Sequence, residues 1–133
     1  MLPVAIGQLI AAVNTGSGMQ CTFDCARRDR LFDSRTATHL YRIAQEAVSN
    51  AIRHSGAHRI RITLQQDDGQ TALQIADDGK GLPSNTLESA GMGVRTMRYR
   101  AGLIGATLAI GPGPQGGTLV VCKLPNQDAT VDR

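Results

Sequence analysis

The fold is decided by the stretch from Arg35 to His54, which reads RTATHLYRIAQEAVSNAIRH. Its aliphatic residues recur at helical spacing and define one buried stripe: Leu40, Ile43, Ala44, Ala47, Val48 and Ala51. Polar residues three or four positions apart occupy the opposite face: Arg42, Glu46, Asn50, Arg53 and His54. This pattern predicts a long amphipathic helix that ends at Ser55-Gly56.

Two strands follow this helix. Residues 59–64 alternate strictly, so that Ile60, Ile62 and Leu64 share one face of a one-sided strand. Asp67-Asp68-Gly69 is a tight-turn signal, and a second strand covers Thr71 to Ala76. The two strands therefore form an antiparallel hairpin.

The rest of the chain supplies further helices and strands. The predicted elements are a helix over Leu2–Val13, a strand over Met19–Cys25, a helix over Gly93–Ile104, and strands over Thr107–Ile110 and Thr118–Leu124. Together they predict an α+β fold, a two-layer sandwich of a mixed, mainly antiparallel sheet with helices on one face. One domain covers residues 1–125, and residues 126–133 form a polar tail.

The composition excludes several classes of protein. The 133 residues carry 14 Lys+Arg and 11 Asp+Glu, a net charge of +3, and 41% are hydrophobic, so a disordered tail is excluded. Three cysteines without a secretory signal are expected to be free thiols. Two basic runs, Arg27 to Arg30 and Arg95 to Arg100, lack interleaved aromatic residues and favour a solvated face over a nucleic-acid interface.

Three polar motifs carry chemistry. Asn50 is a poor mid-helix residue, but its amide oxygen can join phosphate oxygens on Mg²⁺. Asp77 ends a strand and begins Asp-Asp-Gly-Lys-Gly, so its carboxylate can accept a hydrogen bond from an exocyclic amine. Gly91-Met92-Gly93 opens a helix, where the macrodipole favours anions.

Each motif alone has an ordinary alternative. The helix could present a solvated face held by an Arg42–Glu46 pair, the Asp-Gly sequence could be a simple turn, and the glycines could be a flexible loop. The order of the three motifs is more informative, because it places a cation ligand, an amine acceptor and an anion-binding helix start on one scaffold.

This order resembles the ATP-binding, catalytic domain of bacterial sensor histidine kinases, in the superfamily of gyrase, chaperone and mismatch-repair ATPases with the Bergerat-type ATP-binding fold. Residues 40–54 resemble the N box of that family, and their sequence is most similar to that of the nitrate-sensor type subclass. Asp77-x-Gly79-x-Gly81 and Gly91-x-Gly93 resemble its two glycine boxes, and Gly116-Gly117-Thr118 resembles the motif that opens the last strand.

The resemblance implies a role for each motif residue. Asp77 would receive the adenine amino group with help from Thr118 through a shared water, and Gly79 and Gly81 would bound the adenine pocket. Asn50 would bind Mg²⁺, Arg53 would approach the phosphates, and Glu46 would polarise the attacking histidine or a water. Gly91 and Gly93 would let a short lid close over the triphosphate of ATP.

The resemblance also implies an enzyme, a protein-histidine kinase domain that donates the γ-phosphoryl group of Mg-ATP. The acceptor histidine would lie on a separate dimerisation domain of the same full-length protein, because none of His39, His54 and His58 has the acceptor context. A response regulator with a LuxR-like output would be the partner, with no nucleic acid. The domain would be cytoplasmic and homodimeric only in the full-length protein, which could be anchored to the inner membrane. An anti-sigma-type serine kinase and a non-catalytic nucleotide- or nucleic-acid-binding module remain alternatives.

Overall fold

The structure is a computed structural model that describes residues 2–16, 18–25, 32–54, 56–67, 69–81 and 92–126. Within these ranges it has three helices, α1 (Leu2–Gly16), α2 (Ser34–His54) and α3 (Met92–Leu103). The strands are β1 (Gln20–Cys25), β2 (Arg59–Asp67), β3 (Gln70–Asp77), β4 (Thr107–Pro112) and β5 (Thr118–Pro125). Every predicted helix and strand listed above is present, with ends that shift by up to three residues.

The end of α1 shifts by three residues, because the helix continues to Gly16 and does not stop at Val13. The Thr15 hydroxyl donates to the carbonyl of Ala11, which supports the additional turn. Asn14 holds the following strand, because its side chain accepts from the backbone N–H of Cys21 (2.8 Å) and donates to the carbonyl of the same residue (3.1 Å). Asn14, Thr15 and Gly16 are therefore part of the helix end.

Helix α2 begins at a side-chain cap. The Asp33 carboxylate accepts a hydrogen bond from the backbone N–H of Thr36 at 2.7 Å. This satisfies one of the N–H groups that have no partner inside the first helical turn, and caps of this kind stabilise a helix by about 1 kcal/mol. The cap sets the start of the helix that carries most of the polar site residues.

The five described strands form one sheet in the order β1-β2-β3-β5-β4. β1 pairs with β2 in parallel, and the other neighbours are antiparallel, as a mixed, mainly antiparallel sheet requires. In the predicted hairpin Ile62 lies opposite Ile75 and Leu64 opposite Leu73. Strand β5 lies between β3 and β4, which brings the start of β5 beside the end of β3.

The core lies between one face of this sheet and the helices. Alternate strand residues are buried: Cys21, Ile60, Ile62, Leu64, Leu73, Ile75, Val120, Cys122 and Leu124. The stripe of α2 covers them, and its Leu40, Ile43 and Ala44 are completely buried. The fold is therefore the α+β sandwich that the sequence predicts, with the helices on one face.

The three cysteines are free thiols, as expected. Cys21 and Cys122 lie in the core, and burial raises the pKa of each thiol to about 11. Cys25 is partly exposed at the end of β1. No group of three or more potential metal ligands occurs among the described His, Cys, Asp and Glu residues.

Asn126 connects the end of β5 to the hairpin of β2 and β3. Its side-chain oxygen accepts from the hydroxyl of Thr71 (2.6 Å), and its amide donates to the carbonyl of Asp67 (2.8 Å). The backbone N–H of Asn126 donates to the carbonyl of Gly69. This first residue of the polar tail is thus bonded to the sheet, and residues 127–133 lie outside the described part of the chain.

We expect Asn126→Ala to lower the free energy of unfolding by about 1–2 kcal/mol, because the completely buried Thr71 hydroxyl loses its acceptor. Urea unfolding followed by circular dichroism measures this change. Lys123→Ala, which truncates an exposed side chain on β5, is the control and should change stability by less than about 0.5 kcal/mol. Equal stability of the Asn126 variant and the parent would contradict the role of this contact.

Candidate functional site

A cavity that is partly open to solvent lies where α2 and α3 meet the end of β3 and the start of β5. Apolar side chains form most of its wall: Ala47, Ala51, Ile75, Val94, Met97, Ile110 and Val120. Among the described residues, three polar ones also line it, Asn50, Asp77 and Thr118. An apolar cavity with a few convergent polar groups is the usual form of a small-molecule site.

Asp77 is the last residue of β3, and its carboxylate is held by the backbone. Its Oδ1 atom accepts from the N–H of Gly79 (2.9 Å) and from the N–H of Thr118 (3.3 Å). Thr118 reaches it because the start of β5 lies beside the end of β3. These two donors orient the carboxylate on the cavity wall.

Gly117, which is not among the predicted site residues, makes this position of Asp77 possible. A Cβ atom at residue 117 would overlap the carbonyl oxygen and the Oδ1 atom of Asp77. The Gly-Gly-Thr motif was visible in the sequence, but the overlap arises only from the pairing of β3 with β5. Gly117 is therefore a positioning residue for Asp77.

The neighbouring Asp78 has a different role. Its Oδ1 atom accepts from the backbone N–H groups of His58 (2.8 Å) and Arg59 (2.9 Å). These hydrogen bonds, that from Arg59 first, hold the pKa of the Asp78 carboxyl below its ordinary value. Asp78 thus ties the loop after β3 to the start of β2 and does not line the cavity.

Glu46, Asn50 and Arg53 form one connected group on the polar face of α2. The guanidinium of Arg53 lies 3.6 Å from the carboxylate of Glu46 and donates to Asn50 Oδ1 at 3.4 Å. The alternative Arg42–Glu46 pair is wrong, since Arg42 donates to Gln45 at 2.9 Å. Arg53 reaches Glu46 from about two helical turns further along, since residues seven apart lie on one face of a helix.

The described glycines of the two glycine boxes differ in their contacts and backbone conformation. Gly79 donates its backbone N–H to Asp77, and Gly81 has a φ of +78°, which only glycine adopts easily. Gly93 lies in the first turn of α3, directly against the Glu46 side chain. Gly91 and the predicted lid lie outside the described residues, as does the basic run that begins at Arg27.

Two arginines of the second basic run contact other elements of the chain. Arg98 donates to the carbonyl of Leu108 at 3.1 Å, and Arg100 lies 3.2 Å from the Nδ1 atom of His39. Desolvation, followed by the charges of Arg100 and Arg35, lowers the pKa of His39. These contacts bind α3 to β4 and to α2.

A match to a protein-family model shows the family of this chain. Residues 35–128 match the family model described as histidine kinase-, DNA gyrase B-, and HSP90-like ATPase. The chain belongs to this ATPase family. The resemblance drawn from the N box and the glycine boxes is thereby confirmed.

Curated relatives of this ATPase domain are sensor proteins. It is 38% identical over 114 residues to the nitrate/nitrite sensor protein NarX of Escherichia coli (strain K12), covering 85% of this chain and 19% of that protein. It is 39% identical over 95 residues to the sensor protein VraS of Staphylococcus aureus (strain COL), covering 71% of this chain and 27% of that protein. The chain thus spans about a fifth to a quarter of the relatives it matches.

Solved structures show the same fold. The histidine kinase domain of the Erythrobacter litoralis EL346 blue-light activated histidine kinase has a TM-score of 0.77 at 21% identity, over 93% of this chain and 60% of that chain. The ATP binding domain of PrrB from Mycobacterium tuberculosis has a TM-score of 0.62 at 24% identity, over 69% of this chain and 70% of that chain. In the described part of this ATPase domain no helix is long and apolar enough to cross a membrane.

The hydrogen bonds of Asp78 predict a pH dependence of stability. Its pKa is lowered in the folded chain, so the unfolded chain, with a carboxyl pKa of about 3.9, binds the proton at higher pH. The stabilisation is present above that value and is lost as the pH falls through the folded pKa. We expect Asp78→Asn, which cannot titrate, to flatten the decline of the unfolding free energy between about pH 5 and 2.

Urea unfolding at a series of pH values tests this prediction. Asp67→Asn is the control, because no described backbone N–H donates to its carboxylate. The prediction fails if the parent and the Asp78 variant decline in parallel.

Proposed function

We propose that this chain is the ATP-binding and catalytic domain of a two-component sensor histidine kinase. It would bind Mg-ATP and donate the γ-phosphoryl group to a histidine on a separate dimerisation domain. The observation that carries the proposal is the carboxylate of Asp77, which two backbone N–H groups hold on the wall of a mostly apolar cavity. Membership in an ATPase family and similarity to sensor proteins support it.

The chemistry of the cavity wall suits an adenine base. Its Ala, Val, Ile and Met side chains can pack against a flat aromatic ring. Asp77 can accept a hydrogen bond from the exocyclic amine of the base, since its Oδ1 already receives two donors that keep the carboxylate in place. Thr118, 9% exposed, contributes the second polar group of the wall.

The polar face of α2 fits the phosphates and their cation. Mg²⁺ is usually held by one or two protein oxygen atoms together with phosphates and water. Asn50 lines the cavity, and its side-chain oxygen can be such a ligand. The side chain of Arg53 is 56% exposed beside it and can neutralise phosphate charge, and Mg²⁺ would supply further charge neutralisation when bound.

Glu46 is the candidate for the catalytic carboxylate. Its side chain is 29% exposed and lies beside Arg53, which places a proton acceptor next to the phosphate side of the site. Such a group can polarise an attacking imidazole or water. Gly81, Gly91 and Gly93 would border the bound nucleotide, with Gly91 and Gly93 allowing lid closure.

The partners follow from this activity. The acceptor would be the dimerisation and histidine phosphotransfer domain of the same full-length protein, which would be the homodimeric part. A response regulator with a LuxR-like output would then receive the phosphoryl group. The domain would act in the cytoplasm, with no role for nucleic acid.

Asp77 can be tested by replacement with asparagine. We expect Asp77→Asn to weaken Mg-ATP binding at least about tenfold, because the adenine amine loses a charged acceptor while the amide oxygen can still accept from Gly79 and Thr118. Isothermal titration calorimetry measures the affinity. Asp78→Asn is the matched control outside the cavity, and unchanged affinity in a folded Asp77 variant would refute the adenine assignment.

Asn50 can be tested through the magnesium dependence of binding. We expect Asn50→Ala to abolish most of the difference between ATP titrations with and without Mg²⁺, because the cation loses its protein ligand. Gln45→Ala changes a polar residue of α2 outside the cavity and should keep the parent difference. If the Asn50 variant keeps it as well, Asn50 is not a ligand of the cation.

A further inference from the structure

Gly93 is needed for the space it leaves and not for its backbone conformation. Its φ is not among the positive values, and the residue lies in the regular first turn of α3. A Cβ atom at this position would overlap the Oε2 atom of Glu46 and come within 2.9 Å of its Cδ atom. An alanine at 93 therefore cannot coexist with the observed position of Glu46.

The start of α3 stabilises the negative charge of the Glu46 carboxylate. The first turn of α3 contains no acidic residue of its own, although the free N–H groups of a helix start favour a nearby negative charge. Glu46 supplies that charge from α2. On its other side the carboxylate faces Arg53 at 3.6 Å, and Arg53 in turn reaches Asn50.

We infer that Gly93 is a positioning residue that acts through Glu46. The missing side chain at 93 sets where the Glu46 carboxylate lies, and the ion pair then sets where the Arg53 guanidinium lies relative to Asn50. A methyl group at 93 would push the carboxylate away from α3 and move Arg53 with it. The inference rests on the proposed function, since it assigns to Gly93 an effect on how the site receives phosphates.

Gly102 provides a matched control in the same helix. A Cβ atom there would meet nothing within 4 Å, and the residue is exposed. Alanine is a better helix former than glycine, by about 1 kcal/mol in a helix interior and by less in the end turns, where both glycines lie. Of the two positions, only residue 93 lies against the Glu46 side chain.

The experiment compares Gly93→Ala, Gly102→Ala, Glu46→Ala and the Gly93→Ala/Glu46→Ala double variant. We expect Gly102→Ala to lower the unfolding equilibrium constant up to about fivefold, through helix propensity. Gly93→Ala should lack most of this gain, because the flexible Glu46 side chain must first move away from the start of α3. In the Glu46→Ala background the methyl group at 93 has room, so Gly93→Ala should lower the constant there. An equal effect of Gly93→Ala in both backgrounds would overturn the inference.

A second readout separates positioning from a general structural effect. Calorimetry with Mg-ATP and with adenosine, which has no phosphates, should show that Gly93→Ala weakens ATP at least about fivefold and adenosine less than twofold. In the Glu46→Ala background, Gly93→Ala should weaken ATP no further. Equal loss for both ligands, or the same ATP loss in both backgrounds, would overturn the inference.

The measurements distinguish a failure of the proposed function from a failure of this inference. A parent chain that binds neither ATP nor adenosine refutes the proposed function and the effect of Gly93 on phosphates, whereas a coupled unfolding cycle would still support the contact between Gly93 and Glu46. If the parent chain binds ATP but the effects of Gly93→Ala and Glu46→Ala are additive in both unfolding and ATP binding, the inference is refuted. The proposed function then still stands.

Discussion

The site depends on the hydrogen bonds that the Asp77 carboxylate accepts from the backbone of Gly79 and Thr118. They join the end of β3, the loop after it and the start of β5 at one point. A charged acceptor with two backbone donors is oriented more firmly than a solvated side chain, because hydrogen bonds to an ionised group are about twice as strong as neutral ones. The contact requires β5 beside β3 and a glycine at 117.

Helix α2 connects this point to the rest of the site. Its aliphatic stripe packs on the sheet and sets the rotation of the helix, so Asn50 lies at the cavity edge and Glu46 and Arg53 lie beyond it. The same rotation brings Glu46 to the start of α3. Core packing and site geometry are thus two consequences of one amphipathic pattern.

Much of this arrangement could be predicted from local patterns. The period of α2, the alternation of β2 and the Asp-Gly turn indicated the correct elements, because each depends on neighbours within a few residues. The partner of Glu46 could not be predicted in this way. Arg42 and Arg53 both lie on its face of the helix, and only the surroundings of the folded helix select Arg53.

The sequence by itself determined the α+β class, the polar face of α2 and the order of motifs that led to the ATPase family. The tertiary structure decided which of two adjacent aspartates faces the cavity, why residue 117 must be glycine, and that Gly93 contacts Glu46. The physical reason is distance along the chain. Helical and strand periods arise from local geometry, whereas Asp77 meets Thr118, and Glu46 meets Gly93, only after the sheet order and the packing of α2 against α3 are formed.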